Sequence, residues 1–198
     1  VRPVLLALLV AVLVGCGTPA AAPAPSSAPT STSRWKGTSV KEPPPVTEPA
    51  LKVSAYAKNP CEIIRQPWLE DHDLSITGTA TVENGVVRCW WGPTDRERGT
   101  VIEVMLLHNR SGLYPHYQRP ADGFKYFRPG TISGYPSLEA TEKNDDDNVC
   151  ATHVATADFE GVTVFATVLD PKPDEYSNPC TASNEAAAAV IERLKMPR

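Results

Sequence analysis

No apolar run in this chain is long enough to cross a membrane as a helix. The longest, Val4 to Val14, has 11 residues. That is about 16 Å of helix against a hydrocarbon core of about 30 Å. There is no G-x-S-x-G elbow and no glycine-rich phosphate loop, which removes the usual sequence marks of α/β-hydrolases and nucleotide-binding enzymes. No two histidines among His72, His108, His116 and His153 are spaced i, i+2 or i, i+4, so no zinc helix is expected. No C-x-x-C pair occurs either. Positive charge is scarce in the second part of the chain. Residues 58–198 hold 14 Lys and Arg against 21 Asp and Glu, a formal charge of −7. A nucleic-acid partner needs the opposite balance, and an anionic bilayer repels such a domain.

What is present at the N-terminus is informative. Arg2 precedes the apolar run, and Leu13-Val14-Gly15-Cys16 ends it. Positive charge, apolar stretch and small-residue cleavage site, in that order, predict a secretory signal peptide over residues 1–15. The cysteine behind the small residue is similar to a bacterial lipobox. Cys16 is then the lipidated N-terminus, held in the membrane by acyl chains worth about 0.8 kcal/mol per buried CH₂.

Residues 16–57 read as a tether. Pro23, Pro25, Pro29, Pro43, Pro44, Pro45 and Pro49 interrupt helix and sheet among Ala, Ser and Thr, and little of the segment suits a core. Trp35 is the one bulky indole in it. Residues 58–198 are the size of one globular domain.

Four cysteines remain once Cys16 is set aside: Cys61, Cys89, Cys150 and Cys180. An even number in an exported domain predicts two disulfides. Asn59-Pro60-Cys61-Glu62 and Asn178-Pro179-Cys180 both read as helix starts, with Asn as N-cap and Pro in the first turn. Pro67 divides the first helix. Ala187, Val190, Ile191 and Leu194 give the second an apolar stripe. Between them the pattern is strand. Ser75–Val82, Asn84-Gly85 and Val86–Trp91 form a hairpin signature. Thr100–His108 is apolar on both faces, Ile102, Val104 and Leu106 on one and Val101, Met105 and Leu107 on the other, as a central strand would be. Thr131–Ala140 is a weaker strand, and Val149–Ala157 with Val162–Leu169 are stronger ones. Pairing Cys61 with Cys89 and Cys150 with Cys180 would pin each helix start to a strand. Cys61–Cys180 with Cys89–Cys150 is the other pairing kept open. The expected fold is α+β: a single domain, an antiparallel sheet flanked by N- and C-terminal helices, with two disulfides.

These residues together resemble a family of actinobacterial lipoproteins catalogued as domain of unknown function 3558. The resemblance rests on Cys16, the Pro-rich tether, Asn59-Pro60-Cys61, Cys89-Trp90, Ile132-Ser133-Gly134-Tyr135-Pro136, Cys150 and Asn178-Pro179-Cys180. It implies a lipid-anchored protein on the outer face of the cytoplasmic membrane and brings no catalytic residues with it.

Asn144-Asp145-Asp146-Asp147-Asn148 is a solvated acidic loop rather than a calcium site, since the Asp are consecutive and no glycine turns among them. The best candidate contact surface lies between Leu113 and Arg128. There Tyr114, Tyr117, Tyr126 and Phe127 alternate with Arg119 and other basic residues, a composition favoured at recognition surfaces. No metal, cofactor or nucleic acid is expected. The expectation is a non-catalytic binding or accessory module, attached to the membrane through its lipid, with an envelope protein, glycan or lipid as ligand. An envelope hydrolase and a structural subunit of a membrane complex are the alternatives.

Overall fold

Strand-forming segments fill the middle of the chain, and in the computed structural model they pair into one antiparallel sheet of seven strands. The structure describes residues 42–95, 98–108, 112–119, 121–169 and 178–197. The signal peptide 1–15, Cys16, Trp35 and the tether up to residue 41 lie outside the described residues.

The strands are β1 (Thr79–Glu83), β2 (Val86–Trp91), β3 (Gly99–His108), β4 (Phe124–Ile132), β5 (Tyr135–Glu142), β6 (Val149–Ala157) and β7 (Glu160–Leu169). Their spatial order is β1-β2-β3-β7-β6-β5-β4. Asn84 and Gly85 turn β1 into β2 with φ of 50° and 73°, the left-handed pair that a two-residue hairpin needs. β1 starts at Thr79, four residues later than the expected strand. Gly78 explains the delay. A Cβ there would sit 2.5 Å from the Cys89 sulfur and 2.6 Å from Nε1 of Trp91, so the chain bends closely over both before pairing begins.

The expected single strand Thr131–Ala140 is two strands. Ser133 and Gly134 form a second left-handed turn, with φ of 50° and 91°, and β4 doubles back onto β5 with Ile132 opposite Tyr135. β3 is internal, as expected, but its two faces differ. Ile102, Val104 and Leu106 are buried, whereas Val101, Met105 and Leu107 are only half-covered.

One sheet face carries the main core. Cys89, Trp91, Ile102, Val104, Leu106, Val162 and Val164 meet helix α3 (Pro179–Lys195) through Ala186, Ala187, Val190 and Ile191. Asn178 caps that helix as expected: its Oδ1 accepts from the Cys180 N–H at 2.9 Å. The first Asn-Pro-Cys behaves differently. Pro60–Ile63 is a single 3₁₀ turn, and the Asn59 side chain makes no cap bond. Pro67 gives the reason: its ring would clash with the Ile63 carbonyl, so a helix cannot run through. The chain straightens at Ile64 and Arg65 and restarts as α1 (Gln66–Asp71), with Pro67 in its first turn.

The packed domain begins before residue 58, which corrects the tether boundary. Val53 and Tyr56, in a 3₁₀ turn, are buried in the main core. The Leu51 N–H donates to the Thr156 carbonyl at 3.0 Å, and the Tyr135 hydroxyl donates to the Pro49 carbonyl at 2.7 Å. The opposite sheet face holds a smaller cluster. Leu113 and Tyr117, flanking and ending the one-turn helix α2 (Tyr114–Tyr117), pack on Phe124, Leu138, Ala140 and Ala155.

Candidate functional site

The two disulfides join Cys61 to Cys89 and Cys150 to Cys180, with Cα separations of 5.2 and 4.9 Å. This is the favoured of the two pairings. One bond ties the approach to α1 onto β2. The other ties the first turn of α3 onto β6. Between the ends of these helices lies a cleft of about 300 Å³. Trp68 and His72 line it from α1 and its C-cap, Thr181 and Glu185 from the first turns of α3, and Thr100 with Ile102 from β3. Of the two Asn-Pro-Cys segments, the second reaches the lining, through Asn178.

Trp68 and His72 stack with ring centroids 3.8 Å apart and planes 19° from parallel. The spacing i, i+4 puts the His72 ring back over the last turn of α1. There its Nδ1 lies 2.7 Å from the Trp68 carbonyl oxygen, one of the carbonyls that a helix end leaves without an intrahelical partner. The other ring nitrogen, Nε2, stands 3.7 Å from a carboxylate oxygen of Glu185. Asp73 reaches the same cleft from a backbone φ of 54°. Among the described residues the lining holds two carboxylates and an imidazole and neither Lys nor Arg, a composition suited to hydrogen-bond donors and cations.

The aromatic and basic residues expected to form one contact surface are divided between the two sides of the sheet. Adjacent strand residues point to opposite faces, and this separates Tyr126 from Phe127. Phe127 lies in the second cluster, edge-on to Tyr117 at 5.0 Å and to Phe124 at 5.3 Å. Tyr117 is buried there. Tyr126 is on the main-core side, where its hydroxyl donates to the Cys180 sulfur at 2.6 Å and Arg128 lies over its ring at 4.7 Å. Arg119 covers the Phe124 ring at 4.9 Å and pairs with Glu142. Tyr114 and Arg119 are the exposed members, with Tyr114 50% exposed.

Beneath α2 is a feature that sequence spacing does not reveal. His116 and His153 lie with ring centroids 3.8 Å apart, and His153 Nδ1 meets the Thr163 hydroxyl at 2.9 Å. Burial holds His153 well below the ordinary histidine value, with the His116 charge adding to it. Burial first, and Arg119 second, lower His116, while Glu142 works the other way.

One further group resembles a metal centre by proximity alone. Ligand atoms of Glu139, Cys150 and Cys180 lie within 4.8 Å of one another. Both sulfurs are spent in a disulfide, and Glu139 is engaged by Arg128 at 2.6 Å and by Asn184 at 2.9 Å. A metal has no ligand set there.

The fold and its cross-links define a class: an α+β domain, built on a seven-stranded antiparallel sheet, with two helix starts stapled to it by disulfides. The chain belongs to the family described as Protein of unknown function (DUF3558), whose model matches residues 11–193. Neither the curated proteins nor the solved structures contain a significant match.

Proposed function

We propose that this chain is an exported, lipid-anchored module of the cell envelope that binds rather than catalyses, and that the cleft between α1 and α3 is its binding site. The observation that carries the reading is that the two helices walling the cleft, α1 and α3, adjoin or contain a cysteine cross-linked to the sheet, Cys61 to Cys89 and Cys150 to Cys180. Paired cysteines suit an oxidising compartment, in keeping with a signal peptide over 1–15 and lipid on Cys16. Walls fixed by cross-links lose little further freedom when a ligand settles, which favours binding. The cleft's carboxylates and imidazole face an aromatic ring, a mixture suited to a polar envelope ligand such as a glycan or a protein segment.

Two measurements test this. Mass analysis of the membrane-extracted protein is expected to find an acylated Cys16 at the N-terminus, and Cys16→Ala is expected to release the protein from the membrane. A photo-crosslinking residue at Thr181, on the cleft, is expected to yield a reproducible adduct in intact cells. The same residue at the exposed Val82 of β1 is the control. Equal labelling at both positions, or none at Thr181, overturns the cleft as binding site.

A further inference from the structure

The Trp68 carbonyl can only accept a hydrogen bond, so Nδ1 of His72 carries the ring proton. A neutral His72 then turns the bare lone pair of Nε2 toward Glu185, at 3.7 Å. The carboxylate is also an acceptor only. Two acceptors thus face each other at an open cleft, and a positive group between them is required for attraction. Another His–Glu pair, among the described residues, shows the contrast. His108 Nδ1 and Glu160 Oε1 lie 3.1 Å apart, an ordinary hydrogen bond with nothing needed in between.

Proteins orient metal-binding imidazoles in the way His72 is oriented: one ring nitrogen donates to a backbone carbonyl, and the other is presented as ligand. Two ligands on a tetrahedral ion, with bonds of about 2.0–2.2 Å, stand about 3.3–3.6 Å apart. The observed gap exceeds this by tenths of an ångström. Glu185, 56% exposed, closes it with a small torsional change. Imidazole selects transition ions over calcium and magnesium.

We infer that His72 and Glu185 form a binding point for a divalent transition-metal ion of the Zn²⁺ type, its remaining positions open to water or to a ligand in the cleft. The pair is 113 residues apart in sequence, so no local spacing announces it. The inference deepens the binding-module reading and rests on the same cleft. The two fail separately: metal titration can fail while cross-linking at Thr181 succeeds, and the reverse.

The test is calorimetric titration of zinc chloride into the full chain at neutral pH, with both disulfides intact. One equivalent is expected to bind. His72→Gln and Glu185→Gln are each expected to weaken uptake at least about tenfold, and Glu160→Gln to leave it unchanged. Near-ultraviolet circular dichroism checks that each variant keeps its packing. In NMR spectra the His72 ring signals are expected to shift on zinc addition and those of His108 to stay. No uptake, uptake equal in the wild type and both cleft variants, or a shift at His108 in place of His72 overturns the inference.

Discussion

The two faces of the sheet are built on different terms. The first face has a long capped helix, both disulfides and a continuous apolar cluster. The second has a one-turn helix, a small cluster, a tilted histidine pair and a tyrosine hydroxyl with no partner among the described residues. The first face fixes the fold and carries the cleft. The second is closed by few contacts and shields polar groups at a cost. Stability should therefore be concentrated on the first face, and sensitivity to pH on the second.

The most severe way to break this contrast is to remove the cross-links. Their loops span 28 and 30 residues, so in the chain-entropy account each contributes about 3.5 kcal/mol. Cys61→Ser with Cys89→Ser, and Cys150→Ser with Cys180→Ser, should each lower urea-unfolding stability by about that much. The local consequences should differ. α3 has its own cap and apolar stripe, so its amides should stay protected from hydrogen exchange after Cys150–Cys180 is lost. The uncapped turn at Pro60–Ile63 should lose protection when Cys61–Cys89 is lost. Equal loss of protection at both places would remove the distinction between a self-supporting helix and a stapled turn.

Acidification probes the second face. His116 and His153 both titrate below the ordinary value of 6.5, so the folded chain binds protons less readily than the unfolded chain. At a pH well above 6.5 neither state is protonated and the pair leaves stability unchanged. As pH falls through 6.5 the unfolded chain takes up protons that the folded chain refuses, and stability drops until the folded groups themselves titrate. Each histidine contributes at most about 1.4 kcal/mol per pH unit. His153→Asn keeps a polar group beside Thr163 and removes the titration. It should flatten the fall in urea midpoint between neutral and mildly acidic solution. An undiminished fall would place the acid sensitivity elsewhere.

Next in size is the contrast between the two Asn-Pro-Cys motifs. Asn178→Ala should destabilise by about 1 kcal/mol, because it removes a cap bond from a long helix. Asn59→Ala should stay within about 0.5 kcal/mol, as its side chain makes no such bond. Thermal unfolding of the two variants measures the difference directly.

This pair also shows what could be read in advance. Identical triplets predicted the same structure, and both did begin a turn with its cysteine against a strand. The β1–β2 hairpin and the apolar stripe of α3 were legible because each is written in neighbouring residues, whereas the disulfide pairing, across 28 and 30 residues, was favoured only by setting each helix-start cysteine beside a strand. The start of the packed domain was not. Val46, Leu51, Val53 and Tyr56 are isolated among prolines and polar residues, and their partners lie far along the chain. Ser133 hid the β4–β5 turn because serine is an uncommon occupant of a left-handed position. The expected contact residues are split because Tyr126 and Phe127 fall on β4, where adjacent side chains take opposite faces, while Tyr114 and Tyr117 fall on α2. The cleft depends on tertiary approach of α1 and α3, and no local pattern encodes it.

The smallest effect sharpens the comparison most cleanly. Tyr117 is buried in the second cluster, and its hydroxyl has no hydrogen-bond partner among the described residues. Burying an unpaired hydroxyl is unfavourable by about 1–3 kcal/mol, and burial pushes its ionisation above the ordinary tyrosine range. Tyr117→Phe keeps the edge-on contact with Phe127 and removes the unpaired group. It should raise stability by a fraction of this, about 0.5–1 kcal/mol, since a loosely closed face relaxes around the hydroxyl. Tyr135→Phe, on the first face, is the matched control. Its hydroxyl donates to the Pro49 carbonyl, so the same one-atom deletion should destabilise by about 1 kcal/mol. Opposite signs for one chemical change on two sides of one sheet would show that polar satisfaction, rather than burial as such, distinguishes the faces. A loss of stability in both variants would mean that the Tyr117 hydroxyl is satisfied in solution and that the second face is as well built as the first.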